Sequence, residues 1–259
     1  IVIILVSFLS LFLVVIGLFS FPGFQTKLVQ SFTYDLKKRT GQEVLIDKVS
    51  FKWNGRLKFS NFLILDHHND TLLFVKDLST SIEDFRKLKN NDYNFDRIET
   101  STVLLNIKKY PQEFSNSLNV FLNKLKKPYN EKRATFFKSS GITFSKSRFQ
   151  YIDLNKARGN TVNIKDIELY AENFKYQLDS FDIDLKMLNG VIESSESKPF
   201  EFTGKVNYSP GTLILPFFDI VNDKTHVKGS MSIKGENNSF KNFNDNVKIA
   251  LSIDNSTLD

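Results

Sequence analysis

The chain has 259 residues, a formal net charge of +6 and no cysteine, and Phe alone occurs 26 times. The missing cysteines exclude a disulfide framework and any cysteine-based metal or redox centre. Basic residues are spread among acids and do not gather into a stripe, which favours a solvated surface beside anionic lipid over a nucleic-acid partner.

Residues 1–21 read IVIILVSFLSLFLVVIGLFSF and carry no charge. A helix of roughly 20 apolar residues crosses a bilayer core. A signal peptide has a shorter apolar core, about 7–15 residues, and a small-residue cleavage site. This run is longer and ends in Phe19-Ser20-Phe21-Pro22-Gly23, so a retained single-pass anchor is expected. The absence of an initial Met implies residues upstream. The stop at Asp259 without a capping element suits the N-terminal piece of a longer chain.

Residues 22–41 form the second expected unit, an amphipathic linker helix. Phe24, Leu28, Phe32 and Leu36 recur every fourth residue, which draws one apolar stripe. Pro22 suits its start, Lys37, Lys38 and Arg39 suit the negative end of the helix dipole, and Gly41 suits the stop.

Residues 42–259 read as one β region with a helical insertion at about 110–130. Val44, Ile46, Val49, Phe51 and Trp53 lead to Asn54-Gly55, a hairpin turn signal. A return strand is expected to begin at Leu57 and Phe59 and to continue through Phe62–Leu65, followed by strands at Thr71–Val75, Leu78–Ile82 and Ile98–Lys108, in an antiparallel meander. Pro111 should open a helix, in which Phe114, Leu118, Phe121, Leu122 and Leu125 share a face, and Pro128 should end it. Beyond Gly141, strands are expected at Ile142–Phe144, Arg148–Asp153, Val162–Tyr170, Tyr176–Met187, Phe200–Tyr208, Thr212–Phe218, His226–Lys234 and Val247–Asp254. The fold class is mainly β. Phe181, Ile183 and Leu185 alternate with Asp182, Asp184 and Lys186, as a sheet solvated on one side requires. A second sheet could cover the apolar face as in an ordinary sandwich, or an open curled sheet could leave it for acyl chains.

No residue pattern carries catalytic chemistry, so no enzyme activity and no cofactor are expected. Asp66, His67, His68 and Asp70 put four ligand-type side chains in one run. Adjacent side chains of an extended segment point to opposite faces, so a polar turn with exposed imidazoles is favoured over a metal site. His226 stands alone in a strand. Ser195-Glu196-Ser197-Lys198 fits S-x-x-K without its companion motifs. The glycines form no phosphate loop. Asp182 and Asp184 read as solubility residues.

The order of features resembles the N-terminal part of the translocation and assembly module TamB family, within the AsmA-like proteins. The apolar run is followed by Phe24 to Lys38, then by Arg39-Thr40-Gly41-Gln42-Glu43-Val44-Leu45-Ile46-Asp47-Lys48-Val49. Phe59 to Asp66 and Asp70-Thr71-Leu72-Leu73 are similar to a further family segment, in its Bacteroidetes-type form. Gly141 to Tyr151 is similar to the family's repeated strands. The resemblance covers most of the chain through short, degenerate motifs, and it is their order that is specific.

The resemblance implies an elongated, curled antiparallel β-groove, anchored in the inner membrane of a Gram-negative cell with its bulk in the periplasm. It implies phospholipids as the cargo, carried toward the outer membrane, and a part in outer-membrane biogenesis. A role in assembly of outer-membrane proteins also comes with the family. So does an outer-membrane barrel partner of the Omp85 class (TamA- or BamA-like), met through a C-terminal region beyond this sequence. With it, Val103, Leu105, Ile107, Phe181, Ile183, Leu185, Val247, Ile249, Leu251 and Ile253 become the candidate groove-lining residues.

Overall fold

The computed structural model describes residues 30, 33, 34, 37, 38, 40–51, 55–84, 92–125, 136–156, 160–177, 180–194, 197–223, 225–236, 246–254, 256 and 257. The expected anchor, and the apolar stripe of the linker helix, lie outside them. Among the described residues no helix is long and apolar enough to cross a membrane. Gln30, Thr33, Tyr34, Lys37, Lys38 and Thr40 are helical. The helix stops where Gly41 takes φ +66° and its N–H donates to the Lys37 carbonyl at 2.7 Å. That is a left-handed cap, which glycine adopts without a Cβ penalty.

The fold is mainly β. Its strands are β1 (Val44–Phe51), β2 (Arg56–Leu65), β3 (Thr71–Ser81), β4 (Asp92–Phe95), β5 (Ile98–Thr100), β6 (Val103–Lys109) and β7 (Phe136–Asp153). They continue with β8 (Asn160–Gln177), β9 (Ser180–Ile192), β10 (Lys198–Ser209), β11 (Thr212–Asn222), β12 (Thr225–Gly235) and β13 (Val247–Ile253). One helix, α1 (Ser117–Leu125), interrupts them. All thirteen strands belong to a single sheet, eleven of them in the order β1-β2-β3-β5-β7-β8-β9-β10-β11-β12-β13, with β4 beside β7 and β6 between β3 and β7 off that path.

The antiparallel meander expected throughout holds except at one seat. β4, β5 and β6 all pair with β7 in parallel. Their register runs through without a slip: Asp92 opposes Phe136, Ile98 opposes Ile142 and Leu104 opposes Arg148. The three are therefore one strand, broken twice, between β3 and β7. Parallel neighbours need a crossover of a dozen or more residues, usually helical. The segment carrying α1 is that crossover.

Cross-strand partners share a face of the sheet, so the register traces rows of side chains. One row runs Val49, Phe59, Leu78, Thr100, Phe144, Leu169, Leu188, Phe202, Ile220, Val227. Another runs Val44, Ile64, Leu73, Leu105, Phe149, Ile164, Ile192. Both rows meet on β9, where Leu188 and Ile192 share a side, so both lie on the same face. Within the earlier strands their members stand an odd number of residues apart, as Phe59 and Ile64 do. Each of those strands must therefore slip its alternation once. The slips line up: after Ile46 in β1, at Asn61 in β2, after Val75 in β3, between β5 and β6, and at Lys146 in β7. Asn61 and Lys146 both take φ +50° there. β8 slips beside them at Asp166, with φ +51°.

The best-sealed part of the apolar face lies under α1. Phe121 packs with Val44, Ile64 and Leu72, and Leu118 adds to the cluster. The helix starts at Ser117, later than Pro111 suggests. Gln112 takes φ +65°, which no helix tolerates, and Asn116 is the cap. The Asn116 side-chain oxygen accepts from the Asn119 N–H at 2.8 Å. Phe114, expected on the apolar stripe, is left fully exposed.

Candidate functional site

The sheet brings the candidate groove residues onto one face. Leu105 stands in the row given above, and Val103 and Ile107 flank it on β6, where Ile107 is buried. Phe181 belongs to a third row, Tyr93, Phe137, Tyr176, Phe181, Tyr208, Leu213, Ile233, Ile249. Leu185 opposes Gly204, which leads through Phe218 and Gly229 to Ile253. Ile183 opposes Val206, Leu251 opposes Met231 and Val247 opposes Gly235. Exposure rises along the sheet. Phe181, Ile183 and Leu185 are half-buried, whereas Ile249, Leu251 and Ile253 are 56%, 54% and 51% exposed.

Sequence reasoning missed the aromatic members of this face. The Phe181 and Tyr208 rings stack with centroids 5.2 Å apart, and Phe95 meets Phe137 at 5.1 Å. Tyr93 and Phe95 sit on β4, whose four residues, DYNF, are too short to show alternation. The signal that could have found Tyr176 and Tyr208 is their placement at the ends of expected strands, whereas Phe137 falls in a stretch of β7 before Ile142 for which no strand was expected.

The opposite face is polar. Asp184 pairs with Lys205 at 3.7 Å and accepts from the Asn173 amide at 2.8 Å. Asp182 accepts from the Asn207 amide. Glu193 lies 3.1 Å from Lys165 and 3.2 Å from Arg148, and the Lys165 ammonium in particular holds its carboxyl below the usual range. Ser195 and Glu196 of the S-x-x-K match lie outside the described residues.

A second constellation stands where the β2–β3 turn meets the crossover. Asp66 opens that turn and is 2% exposed. Its Oδ1 accepts from the backbone N–H of His68 at 2.8 Å and of Asp70 at 3.0 Å. Asn69 takes φ +65°, which closes the turn. The Tyr110 hydroxyl stands 2.7 Å from Asp66 Oδ2 and 2.7 Å from Asp70 Oδ2, so its one proton serves both. Burial pushes the Tyr110 phenol far up, and the two accepting carboxylates add to it. Lys108 donates to Asp70 Oδ2 at 2.7 Å. Together with Tyr110, and with Lys108 the larger influence, it draws the Asp70 carboxyl down.

His67 and His68 do not point apart as the extended-chain expectation has it. Both reach Glu113 of the crossover, His67 Nε2 at 2.8 Å from Oε2 and His68 Nε2 at 2.8 Å from Oε1. The positive φ at Asn69 makes this a turn, where the opposite-face rule does not apply. Hydrogen bonds from His68 first, then from His67, hold the Glu113 carboxyl below its ordinary value. The Tyr110 ring stacks on His68 at 3.8 Å and meets His67 edge-on at 5.5 Å. The expected exposed imidazoles need correcting for His67, whose side chain is only 18% exposed. Chemically, these three side chains can hold a cation between them, since their ligand atoms all lie within 4.8 Å of one another. His226 is elsewhere, bonded to Asp219 at 2.7 Å.

Neither a family model nor a curated protein matches the chain.

Proposed function

We propose that this chain begins a membrane-anchored bridge which carries phospholipid acyl chains along the apolar face of a curled sheet, through the periplasm of a Gram-negative cell. The reading joins the resemblance to the TamB family with one structural observation. The apolar face runs from β1 to β13, with Thr100 a polar member of one of its rows, and α1 covers only its first strands. Leu215 and Phe218 on β11 are buried, but Phe181, Ile183 and Leu185 stay half-buried and Ile249, Leu251 and Ile253 exposed, as a face open to an acyl chain would be. Where the slips reach β7 and β8 the register shifts as well, and such a bulge bends its strand and increases local twist, which supports the curl. Residues 1–21 would supply the anchor and the helix ending at Thr40 the joint.

The chemistry is passive. Burial of each methylene is worth about 0.8 kcal/mol and has no direction, so a chain is held strongly yet can slide. Head groups would sit at the rim. Contact with a barrel of the Omp85 class rests on the family resemblance alone, and no residue here stands for it.

A photo-reactive residue placed at Ile183 or Leu251 in cells should capture phospholipid. The same residue at Lys205, on the polar face, should not. A folded protein that captures no phospholipid from either apolar position overturns the reading. One observation favours a second reading, a scaffold for outer-membrane protein assembly. Among the described residues β1 and β13 each have a single strand neighbour, and such edges accept a client strand. Adducts to outer-membrane proteins from edge positions, without lipid from the face, would select it. A plain sandwich is less supported, since all described strands join one sheet.

A further inference from the structure

We propose that His67, His68 and Glu113 form a binding site for a divalent transition metal of the zinc class, which fastens the β2–β3 turn to the crossover that carries α1. The donor set is two imidazole nitrogens and a carboxylate. That set suits zinc and its neighbours, with a position left for water, whereas calcium and magnesium take oxygen ligands. An open hollow lined by His67, Gln112, Glu113, Phe114, Ser115 and Val120 adjoins it and gives an ion its path.

The geometry is close to that of a bound state. The two Nε2 atoms each stand 2.8 Å from a different Glu113 oxygen. A tetrahedral zinc with bonds of about 2.0–2.1 Å spaces its ligand atoms about 3.3 Å apart. Each contact therefore opens by about half an ångström to admit the ion, while the wider pairs of ligand atoms, all within 4.8 Å, draw in around it. The ligands are held in place by their surroundings. Asp66 fixes the turn through the His68 and Asp70 amides. Tyr110 stacks on His68, and its carbonyl accepts from the Glu113 N–H at 3.2 Å.

On binding, each ring offers its Nε2 lone pair and keeps its proton on Nδ1. His67 Nδ1 is sealed from solvent and has no hydrogen-bond partner. Metal-bound histidines ordinarily donate from that atom. The missing acceptor weakens the site, since loss of such a partner ordinarily costs roughly 10–100-fold in metal affinity. What the ion would fasten is specific. Glu113 lies just before α1, and α1 covers the first strands of the apolar face. The site stands on side-chain geometry and does not depend on the acyl-chain reading.

The test uses the whole protein in detergent, titrated with Co²⁺ and then with Zn²⁺. One equivalent of cobalt should give the visible absorption of a four-coordinate ion, and zinc should displace it. His68→Ala and Glu113→Gln should each weaken binding at least tenfold with the far-ultraviolet circular dichroism unchanged. His226→Ala, which removes the remaining histidine of the chain, should change nothing. Zinc should also slow amide exchange in α1. The site is overturned by the absence of a saturable cobalt spectrum, or by binding that His68→Ala and Glu113→Gln leave intact. Binding that leaves α1 exchange unchanged overturns the fastening role.

Discussion

Tyr110 carries more of the fold than its size suggests. It is 8% exposed, and its hydroxyl is the group that Asp66 Oδ2 and Asp70 Oδ2 share. Tyr110→Phe keeps the ring against His68 but leaves a buried carboxylate oxygen unpaired. A loss of about 2 kcal/mol is expected, read from urea unfolding at neutral pH. Asp70 offers a pH test. Its folded pKa is depressed below 3.8, chiefly by Lys108. A depressed carboxylate stabilises above its unfolded pKa and loses that contribution as pH falls through the folded one. Asp70→Asn should therefore cost about 1 kcal/mol at pH 7, discounted for partial exposure. The gap between the two proteins should shrink only below pH 3.8. A gap that persists at lower pH would point to packing instead of charge. The sequence shows the ligand-type run at Asp66 to Asp70, but its partners arrive from Lys108, Tyr110 and Glu113. Nothing in local spacing links them, because the parallel crossover brings them together.

At the scale of elements, alternation located most of the strands and misjudged their lengths. Tyr176–Met187, expected as one strand, is divided between β8 and β9, where Tyr176 opposes Phe181. β2 is continuous, as expected, through Leu57–Phe59 and Phe62–Leu65. β7 was expected as two strands, Ile142–Phe144 and Arg148–Asp153, and is one. The division falls at the phase slip, where a pattern of period two breaks although pairing continues. The steps Ile46 to Val49, Phe59 to Phe62 and Val75 to Leu78 are the trace of it in the sequence. The parallel placing of β4 to β6 left no such trace, since alternation is the same in either direction. β13 gives an element-scale prediction. A Cβ on Gly229 would stand 2.1 Å from the Ser252 carbonyl oxygen, a backbone atom with little room to yield. Gly229→Ala should cost about 2 kcal/mol. The loss should appear as faster amide exchange over Val247–Ile253 and leave β7 and β8 protected.

For the whole molecule, the two faces of the sheet differ in what they tolerate. Leu251 is half-exposed on the apolar side. Leu251→Asp should therefore change the unfolding midpoint by less than about 1 kcal/mol. On the acyl-chain reading it should abolish phospholipid capture at that end of the face, because a carboxylate interrupts the stripe. Capture at the usual level beside an Asp at 251 would count against a continuous path. One-sidedness was readable from Phe181, Ile183 and Leu185 and from the β13 alternation. That the same side stays apolar across every strand was not, since only the register joins Tyr93 to Ile249.

The aligned slips also bear on how the strands find their places. A uniformly alternating strand can slide by two residues against its neighbour and still present the right side chains to each face. A strand with a break in phase cannot. Sliding β2 by two residues past β1 would move Asn61 out of line with the break after Ile46. Part of the strand would then turn its Phe and Leu side chains to water. The row of breaks works like the wards of a key. It penalises even those misregistrations that hydrophobic patterning alone would let pass, in a long sheet where every strand looks much like the next.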